Sequence, residues 1–159
     1  MIGWIGIDPG NTGAIAAILS DGRVLISDLS ADEREVWSAF SGMEIELVPE
    51  LVVVEKQASR PAQAAPATFG AGRNYGFVLM ACAALRWPMQ LVAPDMWKKK
   101  IGGYPAKDRK LSKSHSIITA RRLYPQAAHL LTRAKDDGRA EALLLAHCAR
   151  NITLKGELT

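Results

Sequence analysis

Trp4-Ile5-Gly6-Ile7-Asp8-Pro9-Gly10-Asn11-Thr12-Gly13-Ala14-Ile15-Ala16 is the stretch that decides the fold. An apolar run ends in an aspartate, turns on Pro-Gly-Asn-Thr-Gly, and returns as a second apolar run. Two such runs around a Pro/Gly/Asn turn read as adjacent strands. The turn leaves one carboxylate, Asp8, at a strand end beside glycines that an anion can approach closely.

Working outward, residues 2–8 and 13–20 are expected as strands. Ser20-Asp21-Gly22 is a hairpin signal leading into a third strand at 24–29. The chain therefore opens as an antiparallel meander. Residues 31–40 are predicted as a helix, with Asp32, Glu33 and Glu35 in the first turn, where the helix dipole favours acids. Leu51-Val52-Val53-Val54-Glu55 reads as a short buried strand that again ends in an acid. Residues 56–68 read as a Pro/Ala/Gln-rich loop, 74–87 as a helix, and 89–93 as a fifth strand between Pro88 and Pro94. Residues 98–110 read as a basic loop, 112–124 as a helix stopped by Pro125, and 137–151 as a last, apolar helix. The order β-β-β-α-β-α-β-α-α over residues 1–159 matches a single α/β domain of the ribonuclease H-like fold. That fold is a five-stranded mixed sheet, order 3-2-1-4-5, with helices on both faces. It makes the first and fourth strands neighbours and sets Asp8 beside Glu55.

A length of 159 residues with 48% hydrophobic residues suits one domain with a proper core. No apolar run reaches the roughly 18 residues of a membrane span. The strand-like N-terminus reads as having no signal peptide. Cys82 and Cys148 lack ligand spacing and read as buried reduced thiols, which fits a cytoplasmic protein. His115, His129 and His147 have no zinc spacing, and His147 falls on the apolar face of the last helix. The formal charge of +4 conceals an asymmetry. Residues 1–50 hold nine acids and two arginines, whereas Lys98, Lys99, Lys100, Lys107, Arg109, Lys110, Lys113, Arg121 and Arg122 crowd together with Asp108 alone opposing them. Such a stretch suits a polyanion, although a solvated helix face has the same composition.

Asp8, Glu55 and the cluster Asp136, Asp137 and Glu141 place carboxylates on three separate elements. Each alone has an ordinary reading: an Asx-turn at Asp8, a satisfied strand-end acid at Glu55, N-caps at Asp136 and Asp137. Together they provide the hard oxygen ligands that Mg²⁺ takes. Phosphodiester hydrolysis is served by a pair of divalent ions about 3.5–4 Å apart. Asp137 and Glu141, four apart, share a helix face, whereas Asp136 points elsewhere if it is helical.

At these residues the chain resembles the RuvC-type Holliday junction resolvases, above all their short phage and organelle members. Ile5-Gly6-Ile7-Asp8-Pro9-Gly10 is similar to the first motif of that family and Val53-Val54-Glu55-Lys56-Gln57 to the second. Lys135-Asp136-Asp137-Gly138-Arg139-Ala140-Glu141-Ala142-Leu143-Leu144-Leu145-Ala146 is similar to the closing motif and is the most specific of the three. Lys113-Ser114-His115-Ser116 through Arg121-Arg122-Leu123-Tyr124-Pro125 resembles the basic helix before it. The resemblance implies a homodimeric endonuclease of recombination and repair that binds four-way DNA junctions. It would nick two symmetric strands to leave 5′-phosphate and 3′-hydroxyl ends, with two Mg²⁺, or Mn²⁺ in their place, per site. In that scheme Asp8 bridges both ions and Glu55 holds the one on the leaving-group side. Asp137 and Glu141 hold the ion that generates the nucleophile, and Lys113, with Lys110 as second choice, offsets charge on the scissile phosphate. Arg60, Arg73, Lys98, Lys99, Lys100, Lys107 and Lys110 would position the DNA backbone.

Two departures stand out. Bacterial members close with aspartates three apart, so the fourth ligand here lies between Asp137 and Asp136. The loop after Glu55 lacks their aromatic wedge, for which Phe69 and Tyr75 are the substitutes. Helix 74–87, with Gly76, Ala81, Ala83 and Ala84 beside Phe77, Leu79, Met80 and Leu85, is the expected dimer contact. The alternatives are another ribonuclease H-like nuclease (YqgF-like or RNA-directed), which would carry the same ligands, or a non-catalytic junction-binding module. An ATPase with the same strand-Asp-turn would need two such domains, more than 159 residues supply.

Overall fold

A computed structural model describes residues 1–30, 32–58, 64–102, 104 and 109–156, without the side chains of residues 109 and 110. The meander comes first: β1 (Ile2–Asp8), β2 (Ala14–Leu19) and β3 (Val24–Asp28). Then follow α1 (Glu33–Glu46), β4 (Val48–Glu55), α2 (Ala65–Ala84), β5 (Met89–Val92), α3 (Pro94–Ile101) and α4 (Arg109–Leu123). A 3₁₀ turn (Pro125–Leu130) leads into α5 (Asp137–Lys155). The five strands form one sheet of order β3-β2-β1-β4-β5, as expected. β1 pairs antiparallel with β2, and β4 runs parallel to both β1 and β5. No helix among the described residues is long and apolar enough to cross a membrane.

Strand alternation sorts the core into two layers. Ile5, Ile7, Ile15, Ala17, Val52 and Val54 face one side, where Val36, Phe40 and Met43 of α1 and Val78, Ala81 and Cys82 of α2 cover them. Trp4, Ala14, Ala16, Ile18 and Val53 face the other, under α5 with α3 and α4 beside it. Helix α5 buries Leu143, Leu144 and Leu145 completely, the mark of a helix enclosed on all sides. Its closest approach is at Gly6, where any Cβ would strike the backbone of Ala142, Leu145 and Ala146. At its first turn Gly138 lies just as tightly on Thr12. These contacts pin the start of α5 against the turn that follows Asp8.

Several boundaries differ from the sequence expectation. α2 begins at Ala65, inside the expected loop, because Pro66 falls in the first turn, where no N–H is missed. The alanines after it carry the helix through Gly70, Gly72 and Gly76. Lys98, Lys99 and Lys100 are the last turn of α3 rather than loop. Pro94 starts that helix, and Gly102, at a left-handed φ of 81°, ends it. β4 starts three residues before Leu51, α1 continues to Glu46, and α4 begins at Arg109. Cys82 and Cys148 are free and buried, as expected.

Candidate active site

Parity and register assemble the site. Asp8 is two residues beyond Gly6, so it lies on the α5 side of the sheet. Glu55 is two beyond Val53 and does the same. Ile7 pairs with Val54 across the parallel β1–β4 ladder, which leaves Asp8 and Glu55 side by side at the strand ends. Asp137 and Glu141 stand on the first turns of α5, which Gly6 and Gly138 press onto the same sheet end.

Each carboxylate is held by at least one donor. The backbone N–H of Gly10 donates to Asp8 Oδ1 at 3.0 Å, so the Asx-turn expected of Asp-Pro-Gly is present and holds the carboxylate in place. The buried indole Nε1 of Trp97 donates to Glu55 Oε2 at 2.9 Å, and Gln57 Nε2 reaches Oε1 at 3.3 Å. Lys98 Nζ donates to Glu141 Oε1 at 2.9 Å, and the hydroxyl of buried Ser116 donates to the same oxygen at 3.0 Å. Lys113 makes an ion pair with Asp137 Oδ2.

The charges sense one another. Burial, and then the neighbouring charge of Glu55, push the Asp8 carboxyl up to about 7, with Glu141 adding to the rise and the Gly10 N–H and Lys98 opposing it. Glu55 is also raised, by burial first and by Glu141 second. Three carboxylates that repel in a confined space are a site with a deficit of positive charge, which two lysines only partly fill. Among the described residues no three His, Cys, Asp or Glu side chains are yet close enough to hold a metal ion. The donor chemistry nevertheless fits a hard divalent cation: all oxygen, anionic, and mutually destabilised without one.

Asp136 has a different fate. It is 2% exposed, and both its oxygens are taken by Arg133, through the backbone N–H at 2.7 Å and the guanidinium at 2.9 and 2.7 Å. Burial alone would raise its pKa, yet Arg133 holds it below the ordinary value. Asp136 fastens the turn into α5, and Asp137 is the residue that presents a carboxylate beside Glu141.

The basic residues divide. Lys98, expected on the DNA backbone, is drawn into the carboxylates, with its ammonium 5.0 Å from the Trp97 ring and 5.5 Å from that of Tyr104. Lys99 and Lys100 are exposed on α3, and Arg73 is exposed on α2 with its guanidinium over Phe77. Arg60 and Lys107, and the side chain of Lys110, lie outside the described residues. Phe69 is 74% exposed near the start of α2. Trp97, Tyr104, Ser116 and Gln57 were not anticipated from sequence. Trp97 carried a usable signal, standing four before Ile101 on the apolar stripe of a helix begun by Pro94, whereas Ser116 and Tyr104 carried none.

No family model and no curated protein matches this sequence. Solved structures do match its fold. RuvC from T. thermophilus in complex with a Holliday junction substrate superposes with a TM-score of 0.64 at 20% identity, over 92% of this chain and 90% of that one. This chain has the fold of the RuvC-type Holliday junction resolvases. The yeast mitochondrial Holliday junction resolvase has a TM-score of 0.51 at 16% identity, covering 91% of this chain and 75% of the other. The fowlpox virus Holliday junction resolvase has a TM-score of 0.50 at 13% identity, covering 92% and 94%. At these identities the likeness is one of fold, and the expected ribonuclease H-like architecture is borne out by it.

Proposed function

We propose that this chain is a divalent-metal-dependent endonuclease that resolves four-way DNA junctions in the cytoplasm. It would do so by paired symmetric nicks that leave 5′-phosphate ends. The observation that carries the reading is the gathering of Asp8, Glu55 and Glu141 into mutual electrostatic contact at one sheet end, with Asp137 a turn away, in a chain with the resolvase fold.

Asp8, Glu55, Asp137 and Glu141 would hold two Mg²⁺ or Mn²⁺ ions. Bound there, such ions supply an activated water and offset charge on the scissile phosphate. The chain's own residues do the rest. Asp8, fixed by the Gly10 N–H, senses the charges of both Glu55 and Glu141. Lys113, 40% exposed at the mouth of the site, offers its ammonium to the scissile phosphate. Lys98 balances Glu141 from inside. Lys99, Lys100 and Arg73 bring exposed positive charge to the DNA backbone. Phe69 stands out as an aromatic that can stack on an unpaired base.

A four-way junction has two-fold symmetry and needs two cuts, so a single-site chain would act as an isologous pair. The outer side of α2 is the contact we favour. Met80 is 66% exposed there and borders a groove with Trp37, Phe77 and Ala84. Ala81, expected in that contact, lines the floor of the groove and also packs into the core of its own subunit.

Labelled four-way junction and linear duplex incubated with Mg²⁺, Mn²⁺ or EDTA test the proposal. Symmetric nicks in the junction alone, abolished by EDTA, are expected. Equal cutting of duplex, or of RNA in preference to DNA, would move the assignment to another nuclease of the same fold. Binding with no cutting in any metal would leave a junction-binding module.

A further inference from the structure

The donors around the carboxylates follow a pattern that bears on which cation the site accepts. Glu55 has its Oε2 fixed by the Trp97 indole at 2.9 Å, a normal hydrogen bond, whereas Gln57 touches Oε1 only at 3.3 Å. Glu141 has both its described donors, Lys98 and Ser116, on Oε1. In each case a neighbouring helix commits one oxygen and leaves the other the better placed to meet an incoming cation.

These donors are rigid. Trp97 and Ser116 are both 0% exposed. The Trp97 ring is braced edge-on by Tyr104 with centroids 5.7 Å apart. The Tyr104 hydroxyl shares a hydrogen bond with that of Ser116 at 3.1 Å, and the Tyr104 ring is in turn braced by His115 at 4.5 Å. One packed unit, Trp97–Tyr104–Ser116, therefore reaches both glutamates at once. A carboxylate oxygen that already accepts a short hydrogen bond donates more weakly to a metal, so each glutamate is biased to ligate through its other oxygen. Calcium takes six to eight oxygens and readily uses both atoms of a carboxylate. Magnesium and manganese are satisfied by six ligands, with single carboxylate oxygens and water.

We propose that Trp97 and Ser116 are positioning residues that bias Glu55 and Glu141 toward one coordinating oxygen each, and so favour a small six-coordinate cation over calcium. The proposal rests on the metal-dependent reading of the same site.

The test is calorimetric titration of the DNA-free protein with MnCl₂ and, separately, CaCl₂, for wild type, Trp97→Phe, Ser116→Ala and Asp8→Asn, with thermal unfolding of each. Wild type should bind Mn²⁺ more tightly than Ca²⁺, and Asp8→Asn should lose Mn²⁺ binding. Trp97→Phe keeps a ring but removes the N–H. It should weaken Mn²⁺ roughly ten-fold, the usual scale for a lost outer hydrogen bond, with Ca²⁺ binding unchanged or tighter. Ser116→Ala should shift the ratio the same way, and it decides the matter if Trp97→Phe does not fold. An equal effect of both substitutions on the two cations, or none on either, would make the unit mere packing and overturn the proposal with the metal site intact. Mn²⁺ binding that survives Asp8→Asn unchanged would instead overturn the metal-dependent reading and the proposal with it.

Discussion

On one face of the sheet, α5 lies so close to β1 that residue 6 has no room for a side chain. On the other, α1 and α2 stand off on large side chains: Ile5, Ile7 and Val54 meet Phe40, Met43 and Val78, and Phe40 stacks on Trp87 with centroids 5.3 Å apart. The first face uses backbone-to-backbone contact, which cannot slide without a collision. The second uses interlocking side chains, which tolerate modest repacking. All four candidate ligands belong to the first face or its edge. The difference teaches that the fold spends its tightest packing where two carboxylates on a helix must meet two on strand ends, and leaves the looser face for α2, whose outer side is exposed.

The comparison breaks most sharply at Gly6. Gly6→Ala drives a methyl group into the α5 backbone and should destabilise by at least about 3 kcal/mol, the upper range for overpacking, or prevent folding. Urea unfolding checks it. Destabilisation below about 1 kcal/mol would mean that α5 can lift and that the ligand face is no tighter than the other.

Next comes pH. Asp8, raised from 3.8 to about 7, and Glu55, also raised, bind protons more tightly folded than unfolded. Their contribution is therefore full below the unfolded value and is lost as pH rises through the folded one. In EDTA, stability should fall on the order of 3 kcal/mol between about pH 4 and pH 7 relative to Asp8→Asn. Taking the difference between the two proteins removes His147, whose lowered pKa works in the opposite direction. Parallel curves for the two proteins would show that the carboxylates do not crowd.

A smaller effect is expected on the looser face. Met80→Glu places a charge in the proposed contact between subunits and should weaken self-association at least ten-fold, about 1.4 kcal/mol, with little loss of fold stability because Met80 is exposed. Sedimentation of wild type and variant checks it. A wild type that is monomeric at micromolar concentration, with Met80→Glu resolving junctions normally, would remove α2 from the dimer.

The smallest effect sharpens the contrast in glycines. Gly42, in α1, has open space where a Cβ would go, so Gly42→Ala should stabilise by about 0.5–1 kcal/mol through helix propensity alone. The same substitution that wrecks one face should improve the other.

Much of this architecture is legible in the chain. Alternating apolar strands, a Ser-Asp-Gly hairpin and acid-ended strands specify the sheet order, and the parity of Asp8 and Glu55 follows from strand alternation. Asp137 and Glu141 share a face because they are four apart. What was hidden depends on tertiary contact. Pro66 and Pro94 look like loop residues until their place in a first turn is known. Lys98 looks like one more solvated lysine until Trp97 and Glu141 are brought around it. Asp136 and Asp137 are told apart by Arg133, whose guanidinium reaches forward three residues to pair with the first of them.

The central claim is that these carboxylates exist to hold catalytic metal beside a DNA phosphate, and Asp8→Asn tests it most directly. Asp8 would ligate metal yet repel the phosphate, so its loss should separate the two activities. Measured on a labelled four-way junction, cleavage by Asp8→Asn should be abolished in Mg²⁺ and Mn²⁺, whereas junction affinity in EDTA should be equal to wild type or tighter. Cleavage at near the wild-type rate would contradict the account.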